Sequence, residues 1–87
     1  MREKKGMKIL TQDKEHLLDT IGANIFIAEG TCGCFNVMLE KGKKQYCLGI
    51  YENRDHAIRE LRTLYISLKA NYKLYEMRNA RYYVGRY

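Results

Sequence analysis

The segment Cys34–Leu61, CFNVMLEKGKKQYCLGIYENRDHAIREL, decides how this chain folds. Its first part alternates: Phe35, Val37 and Leu39 fall on one side of an extended backbone, and Asn36, Met38 and Glu40 on the other. Lys41-Gly42 reads as the two-residue loop of a β-hairpin, with glycine supplying the positive φ that such a loop needs. On the return strand Tyr46, Leu48 and Ile50 share one face, while Gln45, Cys47 and Tyr51 share the other. Gly49 inside a strand signals a bulge or the close approach of a packed helix, and a bulge there would shift the inward set by one residue. Asn53 then offers an N-cap and Asp55 a first-turn acid, which the helix dipole favours. Beyond them Ala57, Leu61, Leu64, Tyr65, Leu68 and Tyr72 recur at helical spacing, opposite Arg54, Arg59, Arg62 and Lys69. The spacing predicts a helix from about Arg54 to about Ala70.

That amphipathic helix has one large surface to cover, the face of the sheet. The expected core is therefore Phe35, Val37, Leu48, Ile50, Leu61, Leu64 and Leu68. Upstream, Lys8–Thr11 reads as a short strand, Gln12-Asp13-Lys14 as its turn, and Ile25–Ala28 as a β-branched and aromatic strand. His16–Ile21 is either a strand or one helical turn, because so short an apolar run does not settle its period. Glu29–Gly33 has the glycines of a tight connection, and Arg81–Val84 suits a final strand. The expected fold is α+β: a small, mostly antiparallel sheet of about four strands with one long amphipathic helix packed on one face. At 87 residues there is room for a single domain with a modest core, residues 7–87, after a flexible leader at 1–6.

Charge is concentrated at the ends. From Lys69 to Tyr87, five cations (Lys69, Lys73, Arg78, Arg81 and Arg86) stand against Glu76, and the leading MREKK adds three cations against Glu3, within a net charge of +6. Such a balance favours an anionic partner, nucleic acid or an acidic protein face, although a soluble protein with lysine-rich ends reads the same way. No apolar run approaches the roughly 20 residues of a membrane helix, and polar TQDKEH follows the basic N-terminus where a signal peptide needs an apolar stretch, so a cytoplasmic protein is expected.

No catalytic constellation is visible. His16 and His56 are isolated, and neither a nucleophile elbow, a zinc-protease helix nor a phosphate loop occurs. Cys32, Cys34 and Cys47 are odd in number and lack paired zinc-ribbon spacing, so reduced, metal-free thiols are expected, with Cys47 a small buried hydrophobe and no cofactor.

The segment 71–87 holds five of the eight tyrosines, interleaved with Lys73, Arg78, Arg81 and Arg86. Tyrosine with arginine stacks on bases and pairs with phosphates, makes protein-interface hot spots, or simply caps a core. For Tyr72 and Tyr75, next to the helix, core capping is the expectation. The expected binding surface is Arg78, Arg81, Tyr82, Tyr83 and Arg86, assisted by Lys41, Lys43 and Lys44 at the hairpin tip if the tip lies nearby.

Two resemblances follow from these residues. The run from Phe35 to about Leu64, with its basic glycine turn, L-G-x-Y ending and alanine-bearing helix, resembles small three-stranded-sheet-plus-helix DNA-binding modules. Examples are the arm-binding domains of tyrosine recombinases and the plant ethylene-response type. It departs from them at Asn36, Met38 and Gln45, where those modules aim arginines or aromatics at DNA. Over nearly its whole length the chain also resembles small uncharacterised proteins of low-GC Gram-positive bacteria, their phages and integrated elements. Met7–Asp13, Leu48-Gly49-Ile50-Tyr51, Ala57 and Tyr75-Glu76-Met77 carry that likeness, with Arg78 standing where such proteins often have proline. It implies a setting, that of an accessory protein of a phage or mobile element, and the missing catalytic constellation makes the expected protein a non-enzymatic binding protein. Its expected partner is nucleic acid or, alternatively, a host or defence protein that it inhibits or adapts, and a dimer is possible.

Overall fold

A computed structural model describes residues 6–78. The strands are β1 (Lys8–Leu10), β2 (Leu17–Asp19), β3 (Asn24–Glu29), β4 (Phe35–Lys41), β5 (Lys44–Tyr51) and β6 (Leu74–Glu76). A single α-helix, α1 (Arg54–Lys69), and a 3-10 turn at Thr31–Gly33 complete the elements. The α+β class is as expected, but about four strands in one sheet is corrected to six strands in two three-stranded sheets, ordered β3-β4-β5 and β2-β1-β6. The first is an antiparallel meander, whereas β1 pairs antiparallel with β2 and parallel with β6. Strands of three residues show no readable period, and the β1–β6 pairing joins opposite ends of the chain, so local pattern could not reveal it. His16–Ile21 resolves as the strand β2. The expected strand at Arg81–Val84 lies outside the described residues.

The hairpin forms one residue later than its loop suggests. Lys41 pairs with Lys44, so the loop is Gly42-Lys43, with Gly42 at φ 64° in the first central position. That arrangement, glycine followed by a residue of ordinary φ, is the type II′ pattern, which matches the twist of the flanking strands. Further along β5, Val37 faces Gly49 and Met38 faces Cys47, leaving Leu48 as the extra residue of a bulge. Alternation inverts there. Tyr46 and Leu48 point to the core before it and Tyr51 after it, so Tyr51, at 1% exposure, takes the place expected for Ile50, which is 53% exposed.

Gly49 marks a close approach, though not by the helix. A Cβ at Gly49 would lie 2.9 Å from Tyr51 Oη and 3.1 Å from its ring. Tyr51 has no room to retreat, because it is buried and its hydroxyl donates to the Arg78 carbonyl at 2.6 Å. Gly49→Ala should therefore cost about 1–3 kcal/mol through overpacking, read as a lowered urea midpoint. An unshifted midpoint would mean that the Tyr51 ring is free to move.

The helix begins where its capping residues place it. Asn53 Oδ1 accepts the His56 amide at 2.9 Å, Asp55 lies in the first turn, and Asn71 at φ 64° carries the chain out of the last turn. Its orientation differs from the expected stripe. The buried residues are His56, Ala57, Glu60, Leu64 and Ser67, whereas Leu61 and Leu68 are half-buried and Tyr65 is 58% exposed. The helix is turned so that Glu60 faces inward, for a reason that the site makes plain. Around it Met7, Ile9, Val37, Leu39, Leu48, Tyr51, Ala57, Leu64, Tyr75 and Met77 form one core drawn from both sheets. No helix of the described residues is long and apolar enough to cross a membrane.

Candidate functional site

Glu60 is fully buried and is the organising charge of the fold. Its carboxylate accepts the Tyr75 hydroxyl at 2.7 Å, the Arg78 amide at 2.9 Å and Arg78 Nε at 3.1 Å. The Arg78 guanidinium also donates to Thr63 Oγ1 at 3.1 Å, and its carbonyl accepts from Tyr51 Oη and Gln12 Nε2. A buried carboxylate persists only with such donors, which is why α1 turns toward β6. Arg78, expected to be a binding residue, thus has its side chain committed to holding β6 on the helix.

Turning α1 toward β6 uncovers its other flank. Between α1 and β3 runs an open groove of about 410 Å³, lined by Ala23 and Ile25 on one side and by Leu61, Leu64, Tyr65 and Leu68 on the other, together with Arg62. Beside it lies the outer edge of β3. Because Gly30 donates to the Cys34 carbonyl at 2.7 Å, antiparallel alternation directs the backbone groups of Asn24, Phe26 and Ala28 toward β4 and those of Ile25, Ile27 and Glu29 outward. Among the described residues these outward groups meet no backbone partner.

The opposite edge of the same sheet is filled at its C-terminal end. Gln12 donates its amide to the Leu48 carbonyl at 2.8 Å, and its side chain accepts from Ile50 N at 2.9 Å and donates to Ile50 O at 3.3 Å, standing in for a strand. A tight turn presents it. Thr11 Oγ1 donates to Asp13 Oδ1 at 2.6 Å and accepts from the His16 amide, while the Glu15 amide also donates to Asp13. The Thr11 hydroxyl, and after it the Glu15 amide, hold the Asp13 carboxyl below its ordinary value.

Among the described residues the expected site residues do not converge. Lys43 and Lys44 are exposed at the hairpin tip, and Lys41 lies 3.9 Å from Asp19 Oδ2. Arg78 is bonded to Tyr51 at the far end of β5, about 20 Å from Lys44 at the ordinary rise per strand residue, so the tip does not assist it. Arg81, Tyr82, Tyr83 and Arg86 lie outside the described residues. Tyr75 caps the core as expected, but Tyr72 is 59% exposed. The sheet face away from the helix presents Asn36, Met38 and Gln45, with Phe26, Met38 and Cys47 in one cross-strand row. Cys47 is therefore an exposed thiol, not a buried hydrophobe, and desolvation by its neighbours pushes it above the ordinary cysteine value. The Cys32 side chain lies outside what is described, and no group of three metal-ligating side chains occurs among the described residues.

The sequence reading missed Glu60, Gln12 and the β3 edge. Glu60 had a signal, since it lies one turn from both Ala57 and Leu64, a carboxylate on the buried face that demands partners. Gln12 and the edge had none, because both depend on strand order.

No protein-family model, no curated protein and no solved structure matches the chain.

Proposed function

We propose that the protein is a non-enzymatic interaction module that takes up a polypeptide segment as an added strand on β3, with side chains of that segment seated in the groove beside it. The supporting observation is the contrast between the two edges of one sheet: Gln12 occupies the β5 edge at Leu48 and Ile50, and the β3 edge stands open along its length next to an apolar groove. Strand addition draws affinity from main-chain hydrogen bonds and selectivity from the adjoining pocket, and this edge offers both. The resemblance to proteins of phages and mobile elements suits such an accessory role, as an inhibitor or adaptor of a host or defence component.

Capture from host lysate with and without nuclease tests it, using the intact protein beside Tyr65→Glu, whose exposed position tolerates a charge. A partner that survives nuclease and is lost with Tyr65→Glu supports strand addition at the groove. One that vanishes with nuclease overturns it in favour of nucleic acid. That second reading has its own support: Lys43 and Lys44 are exposed, and residues 1–5 and 79–87 contribute +4 of the net +6, leaving +2 on residues 6–78. Under it, binding to random duplex or single-stranded DNA falls steeply with salt, and Arg81→Ala lowers the salt slope by about one unit.

A further inference from the structure

We infer that the segment taken up by β3 is the β3 strand of a second copy of this chain, joined about a two-fold axis through Ile27. This rests on the strand-addition reading and names its partner. The register follows from geometry. Only Ile25, Ile27 and Glu29 turn their backbone groups outward, so an antiparallel self-pairing that uses all three must set Ile27 against Ile27 of the other copy and Ile25 against its Glu29. Neighbouring registers leave outward groups of one strand unpaired.

Chemistry agrees with that register. Ile25, Ile27 and Glu29 share the sheet face that looks toward α1, since they oppose Leu39, Val37 and Phe35 of the inward row. Directly opposed residues place their Cβ atoms about 5 Å apart, so Glu29 of one copy enters the mouth of the groove at Ile25 of the other. Arg62 lines that same groove, and among the described residues neither Arg62 nor Glu29 has an ion-pair partner. The two-fold makes the match twice, one cation and one anion from each copy. The four isoleucines continue as one apolar strip beneath both helices. The edge also lacks the features that keep an unpaired strand single. Asn24–Glu29 carries no lysine, no proline and no bulge, whereas the β5 edge of the same sheet begins at Lys44, carries a bulge and is met at Leu48 and Ile50 by Gln12.

Sedimentation equilibrium of the full chain across a concentration series tests this, with circular dichroism confirming that each variant folds. The intact protein should show a monomer–dimer equilibrium. Glu29→Arg alone and Arg62→Glu alone should each weaken it by about tenfold or more, because each sets two like-charge pairs across the axis, and Glu29→Arg with Arg62→Glu together should restore it. Amide exchange at Ile25, Ile27 and Glu29 should slow as the dimer forms. A protein that stays monomeric at every concentration overturns the second copy as the occupant, as does a dimer indifferent to both reversals or not rescued by the double variant. These outcomes are separable from failure of strand addition itself. Where the dimer test fails, that reading is decided by capture from host lysate with the tagged protein and by whether Tyr65→Glu abolishes it; where the dimer forms as described, the second β3 is itself the added strand.

Discussion

Glu60→Ala should destabilise the domain by about 3–5 kcal/mol, falling toward the lower figure because the partner Arg78 is 35% exposed and can be hydrated. The carboxylate is wholly buried, and its removal takes away the acceptor that the Tyr75 hydroxyl meets at 2.7 Å and the counter-charge that Arg78 Nε meets at 3.1 Å. Total stability for a domain of this size is of the order of 5–15 kcal/mol, so this one change consumes a large share. The loss should be spatially graded. The Met77 amide, bonded to the Leu10 carbonyl at 3.0 Å, should exchange faster than amides of the β4–β5 hairpin, because Glu60 is what holds β6 and the chain after it against the helix. Urea denaturation together with amide exchange checks both statements, and an unchanged midpoint would remove Glu60 from its central place.

Leu64→Ala should cost about 3 kcal/mol, within the 2–5 kcal/mol of a buried leucine truncation, and should lower the melting midpoint by about 10–20 °C. Leu64 is 1% exposed and belongs to the core that α1 forms with β3, β4 and β5. The neighbouring Leu61 makes the decisive comparison. It is only half-buried and lines the open groove, so water already reaches the space its side chain would vacate and Leu61→Ala should cost about 1 kcal/mol. The apolar stripe of the sequence ranks Leu61 and Leu64 together. If Leu61→Ala proves the more damaging, the helix lies with its apolar stripe squarely on the sheet, Glu60 is not inward, and the groove closes. The same pair of variants thus tests the core and the candidate binding surface.

What the sequence determined by itself is local. Asn53 and Asp55 start the helix at Arg54, alternation in Phe35–Leu39 sets the inward face of β4, and glycine at 42 turns the hairpin, because each of these rests on dihedral preference or on the period of one element. Gly49 even marked where alternation would break. Tertiary structure alone decided the rest. Whether the turn residue Gln12 is solvated or replaces a strand depends on which edge lies beside it, and no spacing in the chain encodes strand order. Whether Arg78 binds a partner or Glu60 depends on a fully buried carboxylate 18 residues away that requires donors wherever the helix carries it. With that carboxylate inward, the buried face of the helix keeps Ala57 and Leu64 of the apolar stripe but leaves Leu61 and Leu68 half-buried and Tyr65 exposed. The flank left uncovered, a groove between the helix and an edge strand with no backbone partner among the described residues, depends on the rotation of one helix, and a buried charge and its donors take part in setting that rotation.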